Sequence, residues 1–304
     1  MCECTHFVKS SSNSEKCGCG REKQQHASVN VLATEPRRWN WNQHTAAYPT
    51  DSYGTVKFGT GVHGNYIRMS PRTRPEDVVR LLCDQWGAQP PKVIVSVQGG
   101  LTNFDLPPKV KRSFRKSLQK MASVPGCWII TNGLNVGIAK HVGDCMTAGF
   151  LRRNRAVVIG IAPWGVIAGR QFLKKQNSTV HYFAPSAAPG ATVLNPNHSF
   201  YLLVDDGTVG RYGQDMRWRQ DFETELSKDD DSGQRSLPLV SLLVEGGYHC
   251  ITSAIDYLTA SKPVVVVADS GRAANLICWT LNPNNQATSS EGMLISVFLI
   301  VFFL

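Results

Sequence analysis

The chain has 304 residues, 42% hydrophobic and 18% charged, which excludes a disordered or collagen-like polymer and allows one large α/β domain or two small ones. Lysine and arginine number 32 against 23 acids, a formal net charge of +9 that suits an anionic partner such as a nucleotide or a membrane surface. Nine cysteines without an N-terminal apolar leader indicate a reducing compartment and free thiols, so the sequons at Asn177 and Asn197 carry no weight.

Residues 1–35 form a Ser-, Lys- and Gln-rich arm, expected to be flexible, that contains "CEC" and "CGCG". Cys2, Cys4, Cys17 and Cys19, with His6 and His26, are the residue types of a zinc site. The C-x-C gap is tighter than the two to four residues usual within a ligand pair, so the thiols are read as free and no metal is assigned. From Trp39 to about Met69 come short strands around a glycine turn. A literal G-x-G-x-x-G falls here at Gly59, Gly61 and Gly64. The dinucleotide fingerprint needs a helix after it, and "NYIRM" reads as a strand, so this match is a hairpin loop. Residues 75–86, opening on Pro with acids in the first turn, read as a helix.

An alternation then takes over. "KVIVSVQGG" (92–100) is followed by the basic helix "PPKVKRSFRKSLQKMAS", and "CWIITNG" (127–133) by "VGIAKHVGDCMTAG". "AVVIGIAPWG" (156–165) is a third strand, and "FYLLVDDG" (200–207) precedes a helix from about Gln214 to Lys228. "LPLVSLLVEGG" (237–247) and "KPVVVVADSG" each lead into a helix. Strands apolar on both faces, followed by helices, predict a Rossmann-like, doubly wound α/β fold with a mostly parallel sheet. In the basic helix, Val110, Phe114, Leu118 and Met121 recur at three- and four-residue spacing, leaving Lys109, Lys111, Arg112, Arg115, Lys116 and Lys120 on a solvated face. An acidic neighbour or anionic lipid is the alternative use of that face. Nucleic acid is not indicated, because no base-stacking aromatics are interleaved.

Four strand-end turns, "QGGLTN", "TNGLNVG", "VEGGYH" and "ADSGR", place Gly or a small polar residue where helix N-terminal N–H groups are free. In a parallel sheet they fall on one edge and form a candidate phosphate site. Arg272, at a first helical position, opposes the helix dipole unless an anion lies between them. No nucleophile–base pair is recognisable. His141 reads as a packed helix residue, and Asp205–Asp206 as a turn cap, with contact to a ribose hydroxyl or a metal as the alternative reading. The final "MLISVFLIVFFL" (293–304) would span about 18 Å as a helix against a hydrocarbon core of about 30 Å, so no membrane span is expected in this chain.

The blocks "TDSYGTVKF", "SVQGGLTNF", "CWIITNGLNVGIAKHVGD", "IGIAPWGV", "TVLNPNHSFYLLVDDGTVGRYG", "LVEGG" and "ADSGRAANLI", from about Cys17 to Trp279, resemble the N-terminal cytosolic domain of melastatin-type (TRPM) cation channels. The motifs lie closer to the magnesium- and calcium-permeable branch of that family. The resemblance implies a SLOG-type Rossmann-like domain over 36–285, subunits assembling as homotetramers on the cytosolic face of a membrane, and in some members an ADP-ribose-like nucleotide. Carried over, the binding residues are the Thr131–Asn132–Gly133 turn, with Asn132 replacing a family Gly, then Tyr212 and Arg219 of "GRYGQDMRWR", Gly246 and Gly247, and Ser270, Gly271 and Arg272. Related phosphoribohydrolases carry a P-G-G-x-G-T turn and a catalytic Glu that "EGGYHCITS" lacks, so no enzyme activity is implied. The motifs fade near Leu281, and 286–304 reads as the tail of a truncated product. A free-standing SLOG-type nucleotide-processing enzyme and a short isoform regulating full-length channel subunits are the two other readings.

Overall fold

Two different hydrophobic patterns run through the strands, alternating in the hairpin of residues 53–69 and continuous in most of the later ones. The computed structural model describes residues 1–13, 15–26, 38–59, 61–147, 149–151, 156–183, 190–228, 237–281 and 299–302. Residues 27–35 of the arm and 286–298 and 303–304 of the apolar tail lie outside the described residues. In chain order the strands are β1 (Cys2–Cys4), β2 (Thr45–Ala47), β3 (Tyr53–Phe58), β4 (His63–Met69), β5 (Val93–Gly99), β6 (Cys127–Thr131), β7 (Val157–Pro163), β8 (Gln176–Tyr182), β9 (Phe200–Val204), β10 (Leu239–Val244), β11 (Val264–Val267) and β12 (Leu299–Phe302). The helices are α1 (Trp41–His44), α2 (Pro75–Arg80), α3 (Pro108–Ala122), α4 (Gly137–Cys145), α5 (Gln214–Leu226), α6 (Tyr248–Thr259) and α7 (Arg272–Thr280). The chain divides into one unit of Met1–Trp86 with Gly160–Phe222 and another of Gly87–Ile159 with Glu223–Leu304.

In the first unit the strand order is β7-β9-β4-β3-β8. Strands β3 and β4 form an antiparallel hairpin in which Lys57 faces His63 and Val56 faces Gly64. The G-x-G-x-x-G match is therefore a hairpin turn. Strand β8, "QNSTVHY", pairs in parallel with β3, although its sequence carries no apolar alternation. Only Val180 and Tyr182 of it are buried, and a polar edge strand of this kind owes its structure to its neighbour. The arm is pinned here too. Strand β1 pairs antiparallel with β2, and Cys2, Cys4, Cys17 and Cys19 are all buried. The sequence expectation of a flexible arm took no account of that pairing, which comes from residues some forty positions away.

In the second unit the order is β12-β11-β10-β5-β6, and the pairings are all parallel. Ile94 faces Leu239, Val93 faces Cys127, and Ser241 faces Val264. Strand β12 seats part of the apolar tail beside β11, with Leu299 opposite Val264. Helix α3 buries Val110, Phe114, Leu118 and Ala122 against Val95, Ile129 and Val244, while its six cations stay exposed. Burying one such side chain contributes about 1.5–3 kcal/mol, so this stripe fixes the helix on the sheet. Parallel strands with crossover helices make the chain a Rossmann-like α/β protein.

Candidate ligand site at the strand ends of the second unit

In a parallel sheet every strand delivers its following turn to the same edge. Gly99 ends β5, Thr131 ends β6, Val244 ends β10 and Val267 ends β11. Helices α4, α6 and α7 start beyond three of these turns, and none has a side-chain N-cap or an acid in its first turn. At α4 the Gly137 N–H is taken by Asn103 Oδ1 at 3.2 Å and the Ile138 N–H by the Gly100 carbonyl at 2.9 Å. At α7 the Gly271 N–H is taken by Asn275 Oδ1 at 3.0 Å and the Ala274 N–H by the Glu245 carbonyl at 2.9 Å, so the start of α6 is the place where negative charge is favoured.

The turns after β5, β10 and β11 meet at Glu245. This residue adopts a left-handed backbone with φ of 57°, followed by Gly246 at 82°. The Glu245 carboxylate accepts the Gly246 N–H at 2.7 Å and pairs with Arg272 Nη1 at 3.3 Å. Ser270 supports it from below: its hydroxyl accepts the Glu245 N–H at 2.8 Å and donates to the Val267 carbonyl at 2.6 Å. A Cβ on Gly100 would fall 2.1 Å from Glu245 Oε2, and one on Gly247 would fall 3.2 Å from Arg272 Nη2. Gly137, with φ of 57°, brings α4 against the same turn, since a Cβ there would lie 1.9 Å from the Gly100 carbonyl oxygen. Gly100 and Gly137 are required because a carboxylate and a backbone carbonyl already fill the places of their side chains. Asp269, Gly271 and Arg272 carry φ values of 58°, 110° and 36°, so the turn before α7 is held in a conformation that costs L residues energy.

Half of the residues expected from the sequence gather here. Gly246, Gly247, Ser270, Gly271 and Arg272 surround the Glu245 carboxylate, and Arg272 keeps 59% of its side chain exposed. Thr131, Asn132 and Gly133 form a separate closed turn: Thr131 Oγ1 accepts the Gly133 N–H at 2.8 Å and Asn132 Oδ1 accepts the Leu134 N–H at 3.0 Å. Asn132 thereby replaces glycine by an internal cap, and its φ is not among the positive ones. Tyr212 and Arg219 belong to the other unit. Tyr212 is 40% exposed, with burial of its ring pushing the phenol pKa up, whereas Arg219 is buried in α5. Two residues from Tyr212's turn, Asp215 accepts the Gly213 N–H at 2.8 Å, and burial pushes its carboxyl up to about 6.

Glu245 was missed by the sequence reading. Its signal was present, as an acid ending an apolar strand directly before two glycines. His141 is a packed helix residue as expected, its Nε2 lying 2.9 Å from the Phe104 carbonyl oxygen. Asp206 caps a turn by accepting from the Thr208 N–H at 2.9 Å and hydroxyl at 2.6 Å.

A parallel sheet with crossover helices and glycine turns gathered at its carboxyl edge defines the Rossmann-like class, in which ligands are met at that edge. Within that class the chain belongs to the family described as SLOG in TRPM, whose model matches residues 64–299. The match runs past Leu281, where the recognisable motifs fade, and reaches strand β12. Among curated proteins the chain is 37% identical to a Caenorhabditis elegans "Transient receptor potential channel" over 96% of its own length and 16% of the relative's. It is 39% identical to the Drosophila melanogaster "Transient receptor potential cation channel trpm", covering 91% of this chain and 14% of the relative. With the Homo sapiens "Transient receptor potential cation channel subfamily M member 6" the identity is 36% over 96% of this chain and 15% of the relative. The chain thus spans about a sixth of the length of these relatives. No helix among the described residues is long and apolar enough to cross a membrane.

Proposed function

We propose that this chain is the N-terminal ligand-sensing and assembly segment of a TRPM-type cation channel, of the calcium- and magnesium-permeable kind, and that its strand-end cluster takes an ADP-ribose-like nucleotide. The observation that carries the binding half of this reading is the exposed guanidinium of Arg272, held beside the Gly246–Gly247 turn at the start of α6, a helix with neither a side-chain N-cap nor an acid in its first turn. A diphosphate entering there meets the N–H groups at the start of α6 and Arg272 together, the pairing that phosphate recognition uses. Glu245 holds the position in the ligand-free protein and must release Arg272 on binding. The relatives are named as channels, and the cluster is read as a binding site rather than a catalytic one. Channel conduction, homotetrameric assembly and a place at the cytosolic face of a membrane are properties proposed for the whole protein.

The test is calorimetric titration of ADP-ribose into the full chain. A dissociation constant in the micromolar range, about −8 kcal/mol, is expected, with binding abolished in Arg272→Ala. Glu245→Gln removes the competing carboxylate and should tighten binding by up to about fivefold, the value of an exposed ion pair. No heat with wild type or Glu245→Gln favours the second reading, a scaffold for subunit assembly, in which the Glu245–Arg272 pair is itself the anion and cation of the turn. Exposed Tyr248, Ile255, Leu276 and Trp279 on α6 and α7 favour that scaffold.

A further inference from the structure

We propose that Cys4, Cys17, Cys19 and His26 form a structural zinc site that fastens the N-terminal arm to the first unit. The four residues come from β1, a Cys-Gly-Cys turn and the end of a short 3-10 turn, and all four are buried. Their ligand atoms lie within 4.8 Å of one another. Cys4 Sγ and Cys17 Sγ are 4.0 Å apart, and Cys19 Sγ is 3.4 Å from His26 Nε2. A tetrahedral zinc with Zn–S near 2.3 Å and Zn–N near 2.05 Å requires about 3.8 Å between sulfurs and about 3.6 Å from sulfur to nitrogen. The Cys4–Cys17 and Cys19–His26 pairs already stand close to that geometry, and no ligand pair exceeds it by more than about 1 Å. At 4.0 Å the Cys4–Cys17 pair is not a disulfide, whose sulfurs lie about 2.05 Å apart.

The surrounding shell fits metal ligation. His26 Nδ1 lies 2.9 Å from the Glu22 carbonyl oxygen, which can only accept, so the proton sits on Nδ1 and the lone pair of Nε2 faces the thiols. The Val8 N–H donates to Cys17 Sγ at 3.4 Å and the Trp39 indole N–H to Cys4 Sγ at 3.3 Å, contacts that favour thiolates over thiols. In the metal-free protein Cys4 and Cys17 donate their thiol protons to the His6 carbonyl, at 3.2 and 3.5 Å, and binding sends these protons and that of Cys19 to solvent. Phe7 and Trp39 cover the cluster. Gly18 is required because a Cβ there would fall 2.1 Å from Trp39 Cβ, and Gly20 turns the chain with φ of 91°. Four protein ligands with no open position describe a structural rather than a catalytic centre. Cys2 stands apart, with its Sγ 3.2 Å from the Ser70 hydroxyl, and His6 Nδ1 is engaged by the Thr5 hydroxyl at 2.9 Å.

The site has a consequence beyond the arm. The Gly18 carbonyl accepts from Arg211 Nη1 at 2.6 Å, and the Cys19 carbonyl accepts the Val209 N–H at 2.8 Å. Metal at the Cys-Gly-Cys turn therefore fixes the loop that carries Tyr212. Three buried thiols with two flanking aromatics are too small a core to hold this segment alone, and metal binding energy is what small segments use instead.

The test uses the full chain purified under reductant without chelator. Elemental analysis should find about one zinc per chain, retained in Cys2→Ser and lost in the Cys17→Ser/Cys19→Ser double variant. Should the double variant fail to fold, X-ray absorption of the wild type decides, with about three sulfurs near 2.3 Å and one nitrogen near 2.0 Å expected. Chelation should raise amide exchange at residues 207–213. A folded, reduced protein that takes up no zinc from an equimolar supply, a first shell dominated by oxygen, or a Cys4–Cys17 disulfide in the native protein would each overturn the proposal.

Discussion

Each unit holds an arginine among carboxylates at a strand end, and the two differ in what water can reach. In the first unit Arg68, 2% exposed, pairs with Asp205 at 2.6 Å and Asp51 at 2.8 Å, and its guanidinium lies 4.6 Å from the Trp164 ring centroid. Asp205, 1% exposed, also accepts the Gly207 N–H at 3.0 Å and the Cys2 N–H at 3.3 Å. In the second unit Arg272 is 59% exposed and touches Glu245 through a single contact at 3.3 Å. The buried pair has its hydrogen bonds spent on the protein, whereas the exposed pair keeps donors that an anion can take. Residue types at strand ends are thus the same in a structural clamp and in a candidate site. Solvent access separates them.

The comparison can be broken at its strongest point first. Asp205→Ala leaves the buried Arg68 with the partly exposed Asp51 as its one remaining carboxylate and strands two backbone N–H groups, and should cost about 3 kcal/mol in urea denaturation. A loss under about 1 kcal/mol would mean that Arg68 is solvated and the clamp is not what holds these strands. Asp215 asks what burial does to an acid that titrates high instead of being clamped. Its carboxyl ionises at about 6 when folded, against an ordinary value of 3.8, so the folded protein keeps a proton that the unfolded chain gives up. Stability from this group falls as pH rises from about 4 to about 6 and returns on acidification through the same window. Asp215→Asn should therefore be more stable than wild type at pH 7 by on the order of 2–3 kcal/mol, with the difference closing near pH 3.5. A difference independent of pH would assign the effect to packing.

Gly137→Ala sharpens the picture of the open cluster. A Cβ 1.9 Å from the Gly100 oxygen and a left-handed backbone should together cost more than about 1 kcal/mol and displace α4 from the turn. The smallest effect on stability is expected at Arg272. Its exposed pair predicts that Arg272→Ala shifts the denaturation midpoint by no more than about 0.5 kcal/mol while abolishing nucleotide binding. Equal losses of stability and binding would make Arg272 a second clamp, like Arg68.

Much of this was legible in the sequence. Strands β5, β6, β10 and β11 read as apolar runs because both faces of a parallel sheet are covered, and helix α3 announced its buried stripe by spacing alone. Strand β8 was not legible, since four of its seven side chains in succession are polar and exposed and only pairing with β3 makes it a strand. Strand β12 read as a tail of uncertain use until its register with β11 was known. At the candidate site the glycines and Arg272 were visible as turn chemistry, but Glu245 was not, because a carboxylate before Gly-Gly has no meaning until Arg272, at the start of α7, arrives beside it. The thiols of the arm were discounted on local spacing. A C-x-C gap is too short for two ligands of a self-contained knuckle, and no local rule says that Cys4 and His26 will close on the same point.

The sequence by itself determined the fold class, the family and the edge on which the glycine turns lie, because hydrophobic periodicity and turn residues act over a few positions. Tertiary structure alone decided which arginine is sealed and which is open, where the Glu245 carboxylate rests, and that four N-terminal side chains converge. Those outcomes depend on solvent exclusion and on distances of a few ångströms between residues far apart in the chain. Neither quantity exists until the sheets have formed.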